Sequence, residues 1–279
     1  MKRKMFFLVL SIISILTILA ACGSQSGTSE KPKEKEESNT TENDSSGKSK
    51  SVVDEIKERG TLTMAMSGKY PPFNFINENN ELDGFDVDIA KEISKRLGVE
   101  AEPVTTEWDA IITGLLTSKF DIILGSLSIT EERLEKVDFV HYYTSGGSVI
   151  VPKDSDIKGP EDLEGATVGV GMGTTFEEKA IELGAEVKTY SASVDALTDM
   201  NNGRIDAVIS DKLVTANAIK TMNYPFHFVG EDLFVDKCGI AIRKDNPELR
   251  DEITKILEEM KEDGTYTEIS EKWFGMDIR

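Results

Sequence analysis

From residue 53 onward, dense apolar runs alternate with stretches whose apolar residues recur every three or four positions. That is the pattern of buried strands alternating with amphipathic helices. Val53–Lys57 reads as a short helix closed by Gly60, and Thr61–Met66 as the first strand. A stiff loop carrying Tyr70 and Phe73 around two prolines follows, then a helix with Ala90, Ile93 and Leu97 on one face, stopped at Gly98. Val99–Val104 is the second strand. Trp108 opens a helix with Ile111, Ile112, Leu115 and Leu116 apolar, and Phe120–Leu124 is the third strand. Glu131–Val137 has helical character.

Tyr142–Gly147 breaks the pattern and is a candidate interdomain crossover. A second series then begins, with strands at Ser148–Val151, Thr167–Val170, Val187–Tyr190 and Asp206–Ser210 and helices at Thr174–Leu183, Ser193–Asn201 and Lys212–Ile219. The two series echo each other: Lys119-Phe120-Asp121-Ile122 and Arg204-Ile205-Asp206-Ala207 each follow an amphipathic helix. The expected fold is therefore α/β, with two lobes, each a mostly parallel sheet flanked by helices, offering strand ends to a shared cleft. After a further strand, Cys238–Ile242, the amphipathic helix Pro247–Met260 and the segment Tyr266–Trp273 lack strands of their own and are expected to return to the first lobe. Lobe one then comprises 52–144 and 237–279, lobe two 145–236, and two crossovers form a hinge.

Composition narrows the function classes. The formal net charge of −19 over 279 residues excludes a nucleic-acid partner. Lys2-Arg3-Lys4, the apolar run Met5–Leu19 and the small residues before Cys22 read as an export signal over 1–21. Cys22 stands where bacterial lipoproteins carry a lipidated cysteine, and 22–51, polar and without aromatics, is expected to be a tether. The chain is expected outside the cell membrane, held by lipid alone, and the length of the tether favours a Gram-positive surface. The only other cysteine, Cys238, sits in an apolar run, so no disulfide is expected, and two distant histidines give no metal spacing. No cofactor is expected.

The stretch Gly125–Arg133 holds the most chemistry. It joins a buried strand to a helix start, supplying free N–H groups, the hydroxyls of Ser126, Ser128 and Thr130, and the donor fork of Arg133. Such a stretch suits a compact anion. Arg133 could equally be a surface residue paired with Glu131 or Asp138, and Asp211 could simply cap the helix beginning at Lys212.

Gly84-Phe85-Asp86-Val87-Asp88, Trp108, Ser128-Ile129-Thr130-Glu131-Glu132-Arg133, Asp138-Phe139, Asp206-Ala207-Val208 and Lys272-Trp273-Phe274-Gly275 occur in an order and spacing that resemble the bacterial extracellular solute-binding proteins feeding amino acids to ABC importers. The resemblance covers Val53 to Met276. It implies a two-lobed periplasmic-binding-protein fold, a free amino acid as ligand, an importer permease as partner, and a monomer. It assigns the ligand α-carboxylate to Arg133, helped by Thr130, by the backbone near Ser128, and by Gly173, Thr174 and Thr175 at a helix start. It assigns the α-ammonium to Asp211 with help near Ser126 and Ser128, and the side chain to Tyr70 and Trp108. Relatives taking arginine or lysine carry an acid where Ser67 stands, so Ser67 beside Lys69 favours a polar neutral, acidic or cystine-like ligand over a basic one. Two rival readings remain: a dehydratase of cyclic acids on the same fold, and a ligand-sensing domain.

Overall fold

A computed structural model describes residues 50–279. The expected export signal, Cys22 and nearly all of the tether lie outside the described residues. Ser51, counted with the tether, instead caps the first helix: its hydroxyl accepts from the Asp54 N–H, and the Asp54 carboxylate accepts from Ser51.

In chain order the elements are α1 (Val52–Arg59), β1 (Thr61–Met66), β2 (Lys69–Tyr70), β3 (Asn74–Ile76), β4 (Leu82–Asp83), α2 (Phe85–Leu97), β5 (Glu100–Thr105), α3 (Ile111–Leu116) and β6 (Ile122–Ser128). Then come α4 (Glu131–Lys136), β7 (Val137–Pro152), β8 (Thr167–Gly171), α5 (Thr175–Glu182), β9 (Glu186–Tyr190), α6 (Ser193–Asn201) and β10 (Ala207–Asp211). The chain closes with α7 (Lys212–Met222), β11 (Phe226–Arg243), α8 (Pro247–Glu262) and α9 (Thr265–Phe274). One eight-stranded sheet runs β5-β1-β6-β11-β7-β10-β8-β9, and β2-β3-β4 form a small separate sheet. The outer trios are parallel, while the pairs β6–β11, β11–β7 and β7–β10 are antiparallel.

Alternation along each strand sends side chains to opposite faces, so each half of the sheet builds two cores. In the first half Met64, Met66, Ile122 and Leu124 enter one core, and Ala65 and Ile123 enter the other. In the second half Val149, Val151, Val168 and Val170 face one way, and Ile150 and Val208 the other. The tail packs on the first half: Leu249, Ile253 and Tyr266 join the core of Met64, and the Tyr266 hydroxyl donates to the Tyr142 carbonyl at 2.7 Å.

The structure differs from the sequence reading at the middle of the chain. Tyr142–Gly147 does not interrupt the strands. It lies inside β7, which pairs with β11 through Tyr143–Gly147 and Phe234–Cys238. The polar and glycine residues there satisfy their backbones by this long-range pairing, which no local pattern announces. Gly147 is needed for close approach, since a Cβ would stand 2.6 Å from the Phe234 ring.

Gly84 precedes α2 at φ 128° and ψ 176°, a region essentially confined to glycine. A Cβ there would stand 2.2 Å from the Phe73 carbonyl oxygen, which itself accepts the Asp86 N–H at 2.7 Å. Gly84→Ala is therefore expected to lower stability by roughly 3 kcal/mol. A urea midpoint matching the parent protein would contradict this.

Candidate functional site

The cleft between the two halves of the sheet is shut over a cavity of about 50 Å³. Three contacts span it. Trp108 Nε1 donates to the Gly173 carbonyl at 3.4 Å, Arg133 donates to the same carbonyl at 3.2 Å, and the Ser128 and Thr175 hydroxyls meet at 3.4 Å.

β6 runs into the cavity with every residue buried and ends in the stretch singled out for its donors. Ser126 adopts φ 62°, an uncommon left-handed conformation held by its N–H donating to the Tyr142 hydroxyl at 2.9 Å. Thr130 caps α4 by accepting the Arg133 N–H at 3.2 Å, which sets the direction of the Arg133 side chain. The guanidinium is buried, with 9% of the residue exposed, and its two side-chain hydrogen bonds go to the Ser128 and Gly173 carbonyls rather than to a carboxylate. Burial pulls its pKa down, opposed by the fields of Glu178 and Asp236. A buried guanidinium with spare donors and no bonded carboxylate is a receptor for an anion.

Of the residues expected to bind, Ser67, Tyr70, Trp108, Ser126, Ser128, Arg133 and Thr174 line this cavity. Thr130 and Thr175 instead line an adjoining groove that shares Ser128. Gly173 offers its carbonyl to Arg133 and Trp108, while its N–H donates to the Glu177 carboxylate at 2.6 Å. That amide is therefore engaged within its own turn rather than presented to the cavity.

Asp211, also expected to bind, is not among the residues that line the cavity. Its Oδ1 accepts the Leu213 and Val214 N–H groups at 2.7 and 3.1 Å, capping α7, while its Oδ2 is buried with no partner. Burial raises its carboxyl to about 7, and the nearby Asp236 charge adds to this. The Val214 and Leu213 amides and the Ser145 hydroxyl, which falls short of hydrogen-bond geometry, pull the other way. The Asp211 charge in turn helps to raise the pKa of Tyr70, a cavity-lining residue, after the larger effect of burial. A buried carboxylate oxygen without a donor is costly, and a cation placed against it would relieve that cost.

Sequence reasoning missed Asp236. This residue lines the cavity, is 5% exposed, and accepts from the Ser128 hydroxyl at 3.1 Å. Burial raises its pKa, opposed by that hydroxyl and by the Arg133 charge. Its approach to Ser128 depends on the pairing of β11 with β6, so no motif carries it. Also missed was a buried network under the cavity. Asp86 accepts from Asn74 Nδ2 at 2.7 Å, from the Ser126 hydroxyl at 3.1 Å and from the Tyr142 hydroxyl at 2.7 Å. Burial lifts the Asp86 carboxyl to about 6 against the pull of these three donors.

At the cavity's outer side Lys69 Nζ pairs with the Glu107 carboxylate at 3.0 and 3.1 Å. Among the described residues no group of His, Cys, Asp and Glu could hold a metal ion, and no helix is long and apolar enough to cross a membrane.

Residues 62–276 match the family described as bacterial extracellular solute-binding proteins, family 3. The chain is similar to the L-cystine-binding protein TcyJ of Escherichia coli (strain K12), with 38% identity over 232 residues, covering 81% of this chain and 87% of that one. It is also similar to the L-cystine-binding protein TcyA of Bacillus subtilis (strain 168), with 32% identity over 279 residues and 99% of each chain covered. Among solved structures it resembles an ancestral arginine-binding protein bound to arginine, with a TM-score of 0.74, 43% identity, and 78% and 99% of the two chains covered.

Proposed function

The chain belongs to family 3 of the bacterial extracellular solute-binding proteins, and on that premise we propose that it captures a free amino acid in this cleft and delivers it to the permease of an ABC importer. The carrying observation is the buried Arg133 fork with no bonded carboxylate, set in a shut cleft, in a molecule that also buries an Asp211 oxygen without a donor. A zwitterion supplies what each group lacks: its carboxylate completes the Arg133 donors, and its ammonium answers Asp211 with help from Ser126, Ser128 and Asp236. Tyr70 and Trp108 flank its side chain. Thr130 and Thr175 support the carboxylate end from the adjoining groove, and Gly173 and Thr174 close over it.

The halves act as lobes, 52–144 with 237–279 and 145–236, moving about the paired segments 143–147 and 234–238. The ligand stabilises the shut form because only there do groups from both lobes reach it. Cys22 anchors the chain by lipid to the outer face of the cell membrane, and the protein acts as a monomer. Turnover is not part of this reading: His141, His227 and Cys238 do not line the cavity, so the Ser/His and Cys/His pairings of acyl-transfer enzymes are not formed there.

Lys69 in the wall, and the lack of an acid at position 67, favour a polar neutral, acidic or cystine-like side chain over a basic one. The mature domain is expected to gain thermal stability with at least one such ligand, and less with arginine or lysine. A thermal-shift screen across the common amino acids and cystine checks this. No shift with any of them would remove the reading.

A further inference from the structure

Two serines of the cavity wall, Ser67 and Ser126, are tied to the same buried carboxylate. The direction of each hydrogen bond in that network is fixed by chemistry. Asn74 Oδ1 accepts the Gly68 backbone N–H at 2.9 Å, which identifies it as the amide oxygen, so the Ser67 hydroxyl at 3.0 Å must donate to it. Asn74 Nδ2 then donates to Asp86 at 2.7 Å. The Tyr142 hydroxyl accepts the Ser126 N–H, so its own hydrogen goes to Asp86, and the Ser126 hydroxyl donates to the other side of the same carboxylate. An ionised carboxylate can only accept, so none of these bonds can be reversed.

Both serine hydrogens therefore point away from the cavity. Ser126 Oγ keeps its lone pairs for a ligand, and Ser67 Oγ, which also accepts the Lys69 N–H at 3.2 Å, keeps one. The cavity thus presents an acceptor at each of these two places, and Lys69, whose ammonium also holds Glu107, lines the same wall.

We infer that Asn74, itself bonded to Asp86, is a positioning residue that sets Ser67 as an acceptor, and that the site thereby selects an amino acid whose side chain ends in an N–H donor next to an oxygen acceptor. A carboxamide has both groups, and so does the second amino-acid end of cystine. A side-chain carboxylate lacks the donor for Ser67, and a guanidinium or ammonium lacks the acceptor for Lys69. This inference rests on the amino-acid-binding reading and narrows it.

Calorimetry with L-glutamine, L-glutamate, L-cystine and L-arginine tests it on the parent protein, Ser67→Ala, Asn74→Ala and the double variant. Glutamine and glutamate have nearly the same shape and differ in the donor, so their affinity ratio reads the polarity of position 67. The parent is expected to bind glutamine or cystine at least about tenfold more tightly than glutamate. Ser67→Ala is expected to shrink that preference about tenfold, and to have no further effect once Asn74→Ala has released the hydroxyl. A parent that prefers glutamate or arginine, or a Ser67→Ala variant with an unchanged ratio, overturns the inference and leaves amino-acid binding intact. If the Ser67→Ala effect persists in full beside Asn74→Ala, the role of Asn74 is overturned. If Asn74→Ala does not fold, the parent and Ser67→Ala ratios still decide the polarity. A parent that binds no amino acid removes both the inference and the reading beneath it.

Discussion

Arg133→Ala is expected to weaken binding of the amino-acid ligand roughly a thousandfold, about 4 kcal/mol. The size follows from where the guanidinium sits. It is buried in a shut cleft, its present bonds go only to the Ser128 and Gly173 carbonyls, and a ligand carboxylate entering there exchanges its water for the remaining donors. With alanine in place, the carboxylate is stripped of water and left with neutral partners. The fold should suffer little, because Arg133 forms no ion pair within the core and burial already disfavours its charge. Calorimetry and thermal denaturation read the two effects separately. An unchanged affinity for the ligand that stabilises the parent most would refute the role of Arg133, and a collapsed melting temperature would make Arg133 a structural residue instead.

The second large effect is a dependence of affinity on pH set by Asp211. In the free protein burial holds this carboxyl at about 7, far above an unperturbed aspartate. The sign follows from linkage. The folded free protein grips the Asp211 proton more tightly than the unfolded chain does, so this group's contribution to stability is greatest at low pH. That contribution falls as pH rises through the window from about 4 to about 7. A ligand ammonium set against Oδ2 reverses the preference, favours the ionised acid and expels the proton on binding. Affinity should therefore be level above pH 7 and fall by roughly tenfold per pH unit below it, reaching about a hundredfold loss at pH 5. Calorimetry in buffers of different ionisation enthalpy counts the released proton directly. A profile flat from pH 5 to 8 would leave Asp211 as a helix cap only, the role its Oδ1 already performs.

Local pattern carried far in this chain where contacts are local. β1 coincides with the expected strand Thr61–Met66, and the helix stopped at Gly98 ends there in the left-handed conformation that a glycine stop implies. The C-terminal helix packs on the first half, because Leu249, Ile253, Ile256, Leu257 and Met260 form one unbroken apolar face that needs a core. What stayed hidden depends on register between distant strands. β7 and β11 carry glycines and charges through their middles and are strands only because they pair with each other. β2, β3 and β4 are too short to show a period. For the cavity, spacing alone pointed to Gly125–Arg133, and family resemblance supplied Ser67, Tyr70 and Trp108. Neither could reach Asp236, delivered by a strand that begins almost a hundred residues after Arg133, nor the Asp86 network, whose members come from four separate elements.

The place of β11 in the sheet also governs how the molecule is assembled. It sits between β6 and β7, yet it is the last strand to be synthesised. Until residue 243 emerges, β6 has an open edge, and the core around Met64 lacks α8 and α9. The amino-terminal half therefore cannot seal itself during synthesis, since its closure awaits contacts of very long sequence separation, which form slowly. Under the proposed placement of the chain outside the cell membrane, such delayed knitting keeps it pliable until passage is complete.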